Sequence, residues 1–173
     1  MKLVIFDAIC KALNKADVRY LVAGGLAVNA HGYLRLTYDV DLVIQLDAEN
    51  ILAAFAALTK IGYRPSVPVT GTQFADAKQR KDWIKNKHMQ VLNFHNAKHQ
   101  QMPVDVFVTE PFDFDVEYKA AKRGDLAPGL PVRFVSIPTL IKMKKLANRP
   151  KDLDDIDHLR ALTKGTKGKR RGE

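Results

Sequence analysis

Apolar residues recur at helical spacing over residues 4–15, where Ile5, Ala8, Ile9, Ala12 and Leu13 share one side, and this predicts an amphipathic first helix. The short run Tyr20-Leu21-Val22-Ala23 reads as a strand. After Gly24-Gly25, the small residues of 26–30 read as the first turns of a second helix. Residues 37–44 are rich in β-branched and apolar side chains and predict a second strand. Asp47 is placed to cap a helix over 48–61, with Ile51, Leu52, Phe55, Leu58 and Ile61 as its buried face and Gly62 as its stop. Pro65 and Pro68 break the pattern, so 67–72 is loop or edge strand. Residues 74–87 predict a short, partly exposed helix around Trp83 and Ile84. Residues 89–94 alternate as a strand does, a turn fills 95–100, and a further strand holds Asp105 in Met102-Pro103-Val104-Asp105-Val106-Phe107-Val108. A loop and short helix over 110–126 lead to a last strand at 132–135. Residues 136–148 are helical, with Ser136 as cap and Pro138 in the first turn. Pro150 opens another helix with Leu153, Ile156, Leu159 and Leu162 as its apolar seam. The fold expected is α/β (or α+β): a small mixed sheet of about five strands with helices on one side and a helical C-terminal end.

Length and composition narrow the function. The 173 residues suit one domain, and a 46% hydrophobic content supplies a core. Residues 1–163 read as that domain. Residues 164–173 are Gly- and Lys-rich without apolar periodicity, which predicts a disordered basic tail. Its five basic residues and single acid account for +4 of the chain's net charge of +9. An anionic substrate or nucleic-acid partner is favoured by that charge. The one cysteine, Cys10, excludes an internal disulfide framework and suits a reducing cytoplasm. No apolar run approaches membrane-spanning length, and Asp7 interrupts the apolar start too early for a signal peptide.

The candidate chemistry sits between residues 21 and 46. Side chains at i and i+2 of a strand point to one face, so Asp39 and Asp41 project side by side while Val40 and Leu42 turn into the core. Paired carboxylates repel, and a divalent cation is the usual compensation. Gly24 and Gly25 form a strand-to-helix turn without Cβ atoms, which lets backbone N–H groups approach a phosphate. Thr37 shares the face of the two acids and can hydrogen-bond a carboxylate or phosphate. Arg35 meets either a phosphate or a surface acid. Lys144 shares a helix face with Leu140, Ile141 and Ala147, so it either snorkels or aims its ammonium at buried anions. Asp152 and Asp155 lie on one helical face, where they hold Lys144 or Arg149 or answer the helix dipole. The cations Lys78, Arg80, Lys81, Lys85 and Lys87 form either a solvated face with one aromatic anchor or a phosphate-contacting surface. His88, His95 and His99 lack the ligand spacing of a zinc site and read as surface residues.

Gly24-Gly25, thirteen intervening residues and then Asp39-Val40-Asp41-Leu42 resemble the signature of the DNA-polymerase-β-type nucleotidyltransferase superfamily. With Leu26-Ala27-Val28, His31-Gly32, Arg35 and Thr37 added, the stretch is similar to the small bacterial branch that includes AbiEii-like toxin nucleotidyltransferases. The resemblance implies a nucleotidyltransferase fold, with Asp105 as a third carboxylate. It implies that Asp39, Asp41 and Asp105 hold two Mg²⁺ ions, that Lys144 contacts the phosphates of an NTP such as ATP, and that Gly24, Gly25, Arg35 and Thr37 help bind the nucleotide. The activity implied is transfer of a nucleoside monophosphate to an acceptor hydroxyl with release of pyrophosphate. The setting implied is a toxin–antitoxin pair, with tRNA, another RNA or a protein as acceptor and an antitoxin protein as partner. The alternatives are transfer to a small, antibiotic-type molecule and an inactive nucleotide- or RNA-binding module.

Overall fold

The computed structural model describes residues 2–100 and 102–169 and contains a seven-stranded mixed sheet with eight helices among the described residues. In chain order the elements are α1 (Lys2–Lys15), β1 (Tyr20–Val22), α2 (Gly24–Ala30), β2 (Val40–Ile44), α3 (Ala48–Lys60), β3 (Tyr63–Pro65), α4 (Gly71–Ala75), α5 (Ala77–Lys87), β4 (Val91–Asn96), β5 (Val104–Phe107), α6 (Phe114–Ala120), β6 (Lys122–Asp125), β7 (Pro131–Phe134), α7 (Ile137–Ala147) and α8 (Pro150–Lys169).

The sheet order is β3-β4-β5-β2-β1-β7-β6. Its centre is the antiparallel pair β1–β2, in which Leu21 faces Val43. Parallel pairings extend it on both sides: β2 with β5, setting Asp41 beside Asp105, and β1 with β7, setting Val22 beside Phe134. β1 is buried throughout, as a central strand must be. Val40 and Leu42 of β2 are likewise fully buried, while Asp41 projects to the opposite face.

Two strands are additional to the five the hydrophobic pattern predicts. β3 and β6 are the two edges of the sheet. β6, Lys-Arg-Gly-Asp, carries no apolar alternation because most of it faces water. β3 contains Pro65, which an edge strand tolerates because no further ladder bond is needed there. β2 begins at Val40, so Thr37 and Asp39 stand on an extended lead-in rather than inside the strand.

Capping follows the sequence at Asp47 and departs from it at Ser136. Asp47 accepts from Asn50 N at 2.9 Å and starts α3. Ser136 occupies the cap position of α7 but makes no capping bond; Glu117 from α6 accepts instead from Ser136 N and Thr139 Oγ1, both at 2.6 Å. The stripe of α1 is centred on Phe6, Ile9, Cys10 and Leu13, so Ala8 is turned outward. The 74–87 segment is two helices, not one, because Thr70 and Asp76 each cap a separate start. Its aromatics are core residues: Phe74 contacts Phe55 and Trp83, and Phe55 meets Phe94 edge-on with centroids 5.1 Å apart. Arg80 is also buried and donates to the carbonyl of Phe74, so it cannot belong to an exposed phosphate-binding face. α8 continues to Lys169, beyond the apolar seam that ends near Thr163, because a helix already nucleated by its packed first turns adds one backbone bond per residue. Residues 170–173 of the expected tail lie outside the described residues.

Phe94 is fully buried among these rings. Phe94→Ala is expected to cost about 3–5 kcal/mol, read as a lowered urea midpoint with an unchanged slope.

Candidate active site

β1 runs into Ala23, whose N–H donates to the Asp41 carbonyl at 2.9 Å, and the chain then turns sharply into α2. Gly24 makes that turn at φ +58°, where L side chains are strained. The Asp41 carboxylate fills the space a side chain would need: a Cβ on Gly24 would lie 1.8 Å from Asp41 Oδ2. Gly25 is held open for the same reason, since its Cβ would lie 2.5 Å from Thr37 Oγ1 and 3.1 Å from Arg35 Nη1. The two glycines thus admit the side chains of the following loop and strand against the turn.

Asp39, Asp41 and Asp105 each offer a carboxylate oxygen, and these oxygens lie within 4.8 Å of one another. Among the described residues they form the one acidic or His/Cys cluster able to hold a metal ion, and no histidine joins it. Asp41 and Asp105 are brought together by the parallel register of β2 and β5. Asp39 arrives from the lead-in, where Thr37 Oγ1 donates to Asp39 Oδ1 at 3.1 Å. Burial, followed by the charges of Asp39 and Asp105, pushes the Asp41 carboxyl up to about 7. Burial also raises Asp105, against the pull of Asn93, whose Nδ2 donates to Asp105 Oδ1 at 2.7 Å. Asn93 is the register partner of Asp105 on β4, and it escaped the sequence reading because only the strand pairing reveals it.

A second group of charges lies beside the acids. Lys144 is buried, with its ammonium 2.5 Å from Asp155 Oδ2 and 3.4 Å from Asp152 Oδ1. Arg35 grips the same Asp155 through two bonds of 2.7 and 2.9 Å. Arg149 holds Asp152 through Nε at 2.7 Å and through its own backbone N–H at 3.1 Å. Burial acts to raise the Asp152 carboxyl, but the Arg149 hydrogen bonds and the Lys144 charge override it and leave the group below its ordinary value. The two acids have no exposed surface, so the network links α7, α8 and the 31–39 loop through buried ion pairs. Three cations meet two acids in it, and the surplus is felt next door: Lys144 and Arg149 both lower the Asp41 carboxyl. Of the two alternatives for Lys144, the structure therefore has the ammonium aimed at buried anions, and Arg35 meets an acid, as one of its alternatives had it, although that acid is fully buried and not at the surface.

The loop that carries Arg35 and Thr37 is itself anchored. Asn29 exchanges hydrogen bonds with the backbone of Arg35, and Tyr33 donates to Asp154 while stacking on His158. Its alternate residues point outward, and Leu34 and Leu36 remain 81% and 77% exposed.

A family model, aminoglycoside-2''-adenylyltransferase, matches residues 5–158. The chain belongs to this family. It is a nucleotidyltransferase by that membership, and the three-carboxylate strand pair and its glycine turn fall within the matched span. Solved structures of this kind share its fold. The lincosamide antibiotic adenylyltransferase LnuA, with lincomycin bound, superposes with a TM-score of 0.60 at 14% identity, over 94% of this chain and 97% of that one. ANT(2'')-Ia in complex with adenylyl-2''-tobramycin gives 0.56 at 14% identity, over 98% of each chain. An antigenic nucleotidyltransferase-like protein from Paracoccidioides brasiliensis gives 0.53 at 19% identity, over 92% of this chain and 75% of that one. No curated protein sequence matches. The superfamily expectation therefore stands, and the family shown within it is the adenylyltransferase one; the narrower likeness to AbiEii-like toxins is not shown by these comparisons.

The acidic cluster carries a pH signature. Without metal, folded Asp41 keeps its proton up to about pH 7, while an unfolded aspartate releases it near 4, so ionisation at Asp41 lowers stability progressively between those values. Asp41→Asn removes that loss. In a chelator at pH 8 it is expected to raise Tm by several degrees, about 2–4 °C per kcal/mol recovered, with little change at pH 4. Equal Tm values for the two proteins at both pH values would contradict the burial and repulsion assigned to Asp41.

Proposed function

We propose that this chain transfers the adenylyl group of ATP to a hydroxyl of a small, antibiotic-type molecule and releases pyrophosphate. The observation that carries the reading is the convergence of three carboxylates from two parallel strands and their lead-in, beside a cationic cluster, in a member of an adenylyltransferase family. The relatives superposed above, LnuA with lincomycin and ANT(2'')-Ia with an adenylylated tobramycin, support a small-molecule acceptor. The RNA acceptor, the antitoxin partner and the toxin setting expected from the AbiEii-like resemblance gain no support from these comparisons. No described helix is long and apolar enough to cross a membrane.

Asp39, Asp41 and Asp105 would hold Mg²⁺. The donor set fits: all three are hard oxygen ligands, close enough to share an ion, and their mutual repulsion is relieved by one. Bound Mg²⁺ supplies charge neutralisation on the triphosphate and its leaving group. The protein's own contribution is positional and electrostatic. Asp105, raised by burial and oriented by Asn93, would take the proton of the attacking hydroxyl. Lys144 and Arg149 place positive charge beside the acids, where phosphate oxygens are drawn. Arg35 and Thr37 act on the nucleotide through the groups they hold, Asp155 and Asp39. Gly24 and Gly25 keep the floor of the site clear of Cβ atoms.

The test is label transfer from each α-labelled NTP in turn, with Mg²⁺, to a lincosamide, an aminoglycoside and total RNA. Label is expected from ATP onto a small molecule, and Asp39→Ala is expected to reduce it by at least about a hundredfold. Label entering RNA instead would return the acceptor to nucleic acid, and ATP binding without transfer to any pool would favour a binding module.

A further inference from the structure

β1 enters the active site from its C-terminal end, at Gly24. At its opposite end, around residues 17–20, lies a separate cleft of about 530 Å³, within the size range of small-ligand sites. Arg19, Arg123, Arg133 and Tyr118 line it, together with one acid, Asp17. The cations converge from three elements. Arg19 precedes β1, Arg123 is on β6 and Arg133 is on β7.

Two features of this cleft are unexplained by the fold alone. Arg123 and Arg133 are direct register partners across the antiparallel β6–β7 pair, an arrangement of like charges that destabilises a sheet. No carboxylate intervenes among the described residues: the Arg133 guanidinium donates only to the Tyr118 carbonyl at 3.0 Å, and the Arg123 guanidinium has no hydrogen bond or ion pair. The third guanidinium is fixed in place. Arg19 lies over the Tyr118 ring at 4.6 Å, with Arg133 over the same ring at 4.1 Å, and Asp115 and Gln45 hold its nitrogens at 2.8 Å. Planar guanidinium forks set in fixed positions match phosphate oxygens bidentately.

We infer that this cleft is a second binding site, for a compact phosphate-bearing anion of the pyrophosphate class. Such an anion would sit between Arg123 and Arg133 and cancel their repulsion. A small ligand is favoured over an extended nucleic-acid backbone because Asp17 lines the cleft beside the cations and Asp115 already pairs with Arg19, which leaves no continuous run of free positive charge for a polyanion. A nucleoside base is disfavoured because Tyr118 is already covered by guanidinium groups. The inference rests on this cleft alone and is independent of the adenylyl-transfer reading.

The experiment is calorimetric titration of the full chain with inorganic pyrophosphate in a metal chelator, beside the variants Arg123→Gln and Arg149→Gln. Arg123 is exposed and on an edge strand, so Arg123→Gln is expected to keep its Tm. It is expected to weaken pyrophosphate binding by about tenfold or more, the equivalent of one lost charge-assisted contact. Arg149→Gln, which alters the charge beside the catalytic acids, is expected to leave that binding within about twofold. No binding to the parent protein, or equal binding by Arg123→Gln, overturns the proposal. So does loss of binding in Arg149→Gln, which would assign the anion to the active site. A short single-stranded oligonucleotide that binds more tightly than pyrophosphate, with the same dependence on Arg123, overturns the compact ligand in favour of a nucleic-acid surface.

Discussion

The buried pairing of Lys144 with Asp155 and Asp152 is the interaction on which the site's geometry depends. An ammonium enclosed in this way is tolerable only when anions surround it, and two fully buried carboxylates are tolerable only when cations do. Arg35 and Arg149 complete the set from outside. The result is a clamp: Asp155 is gripped at once by α7 through Lys144 and by the 31–39 loop through Arg35. Because that loop also delivers Thr37 and Asp39, the C-terminal helices set where the first carboxylate stands, although they contribute no carboxylate to the cluster itself. Replacing Lys144 would strand the two acids in a low-dielectric interior, so the ammonium and its two carboxylates behave as a unit, with the half-exposed Arg149 at their rim.

Electrostatically, the site is two opposed groups. Burial, with the charges of its two neighbours added, lifts one of the three crowded carboxylates to about 7, and a cluster with one surplus positive charge stands beside them. Neither arrangement is favourable by itself. Together they describe a place where a cation would be welcome next to the acids and phosphate oxygens next to Lys144 and Arg149. This is the division of labour nucleotidyl transfer requires, and it is built from a few residues at the junction of β1, β2, β5 and the α7–α8 pair.

Much of this was legible in the sequence. The glycine turn, the Asp39–Asp41 spacing, the cap at Asp47 and the inward face of Lys144 all depend on neighbours within one or two turns, and local spacing reports such relations faithfully. Asp152 and Asp155 were legible as partners for the same reason. What escaped depends on pairings between distant segments. Asn93 matters because β4 lies against β5, and nothing in its own neighbourhood says so. The edge strands are too short to show an alternation: β3 has three residues, of which Tyr63 alone is buried, and β6 is mostly exposed. Phe74 and Arg80 sit in a polar, basic stretch, but two caps instead of one fold that stretch inward over Phe55. Thr37 reaches Asp39 although the strand expected to align them starts three residues later, because an extended lead-in preserves the same side-chain direction.

The clamp joins residues 120 positions apart in the chain, Arg35 to Asp155. During synthesis the turn, both of its neighbouring acids and most of the sheet emerge from the ribosome well before α8 exists. Until α8 is made, Arg35 and Lys144 have no anion to hold, and nothing ties the cations of α7 and of the 31–39 loop into one cluster beside the carboxylates. The site is therefore complete only once α8 has been made: a polypeptide cut short before it would carry the glycine turn and the carboxylates without the charge pattern that stands beside them.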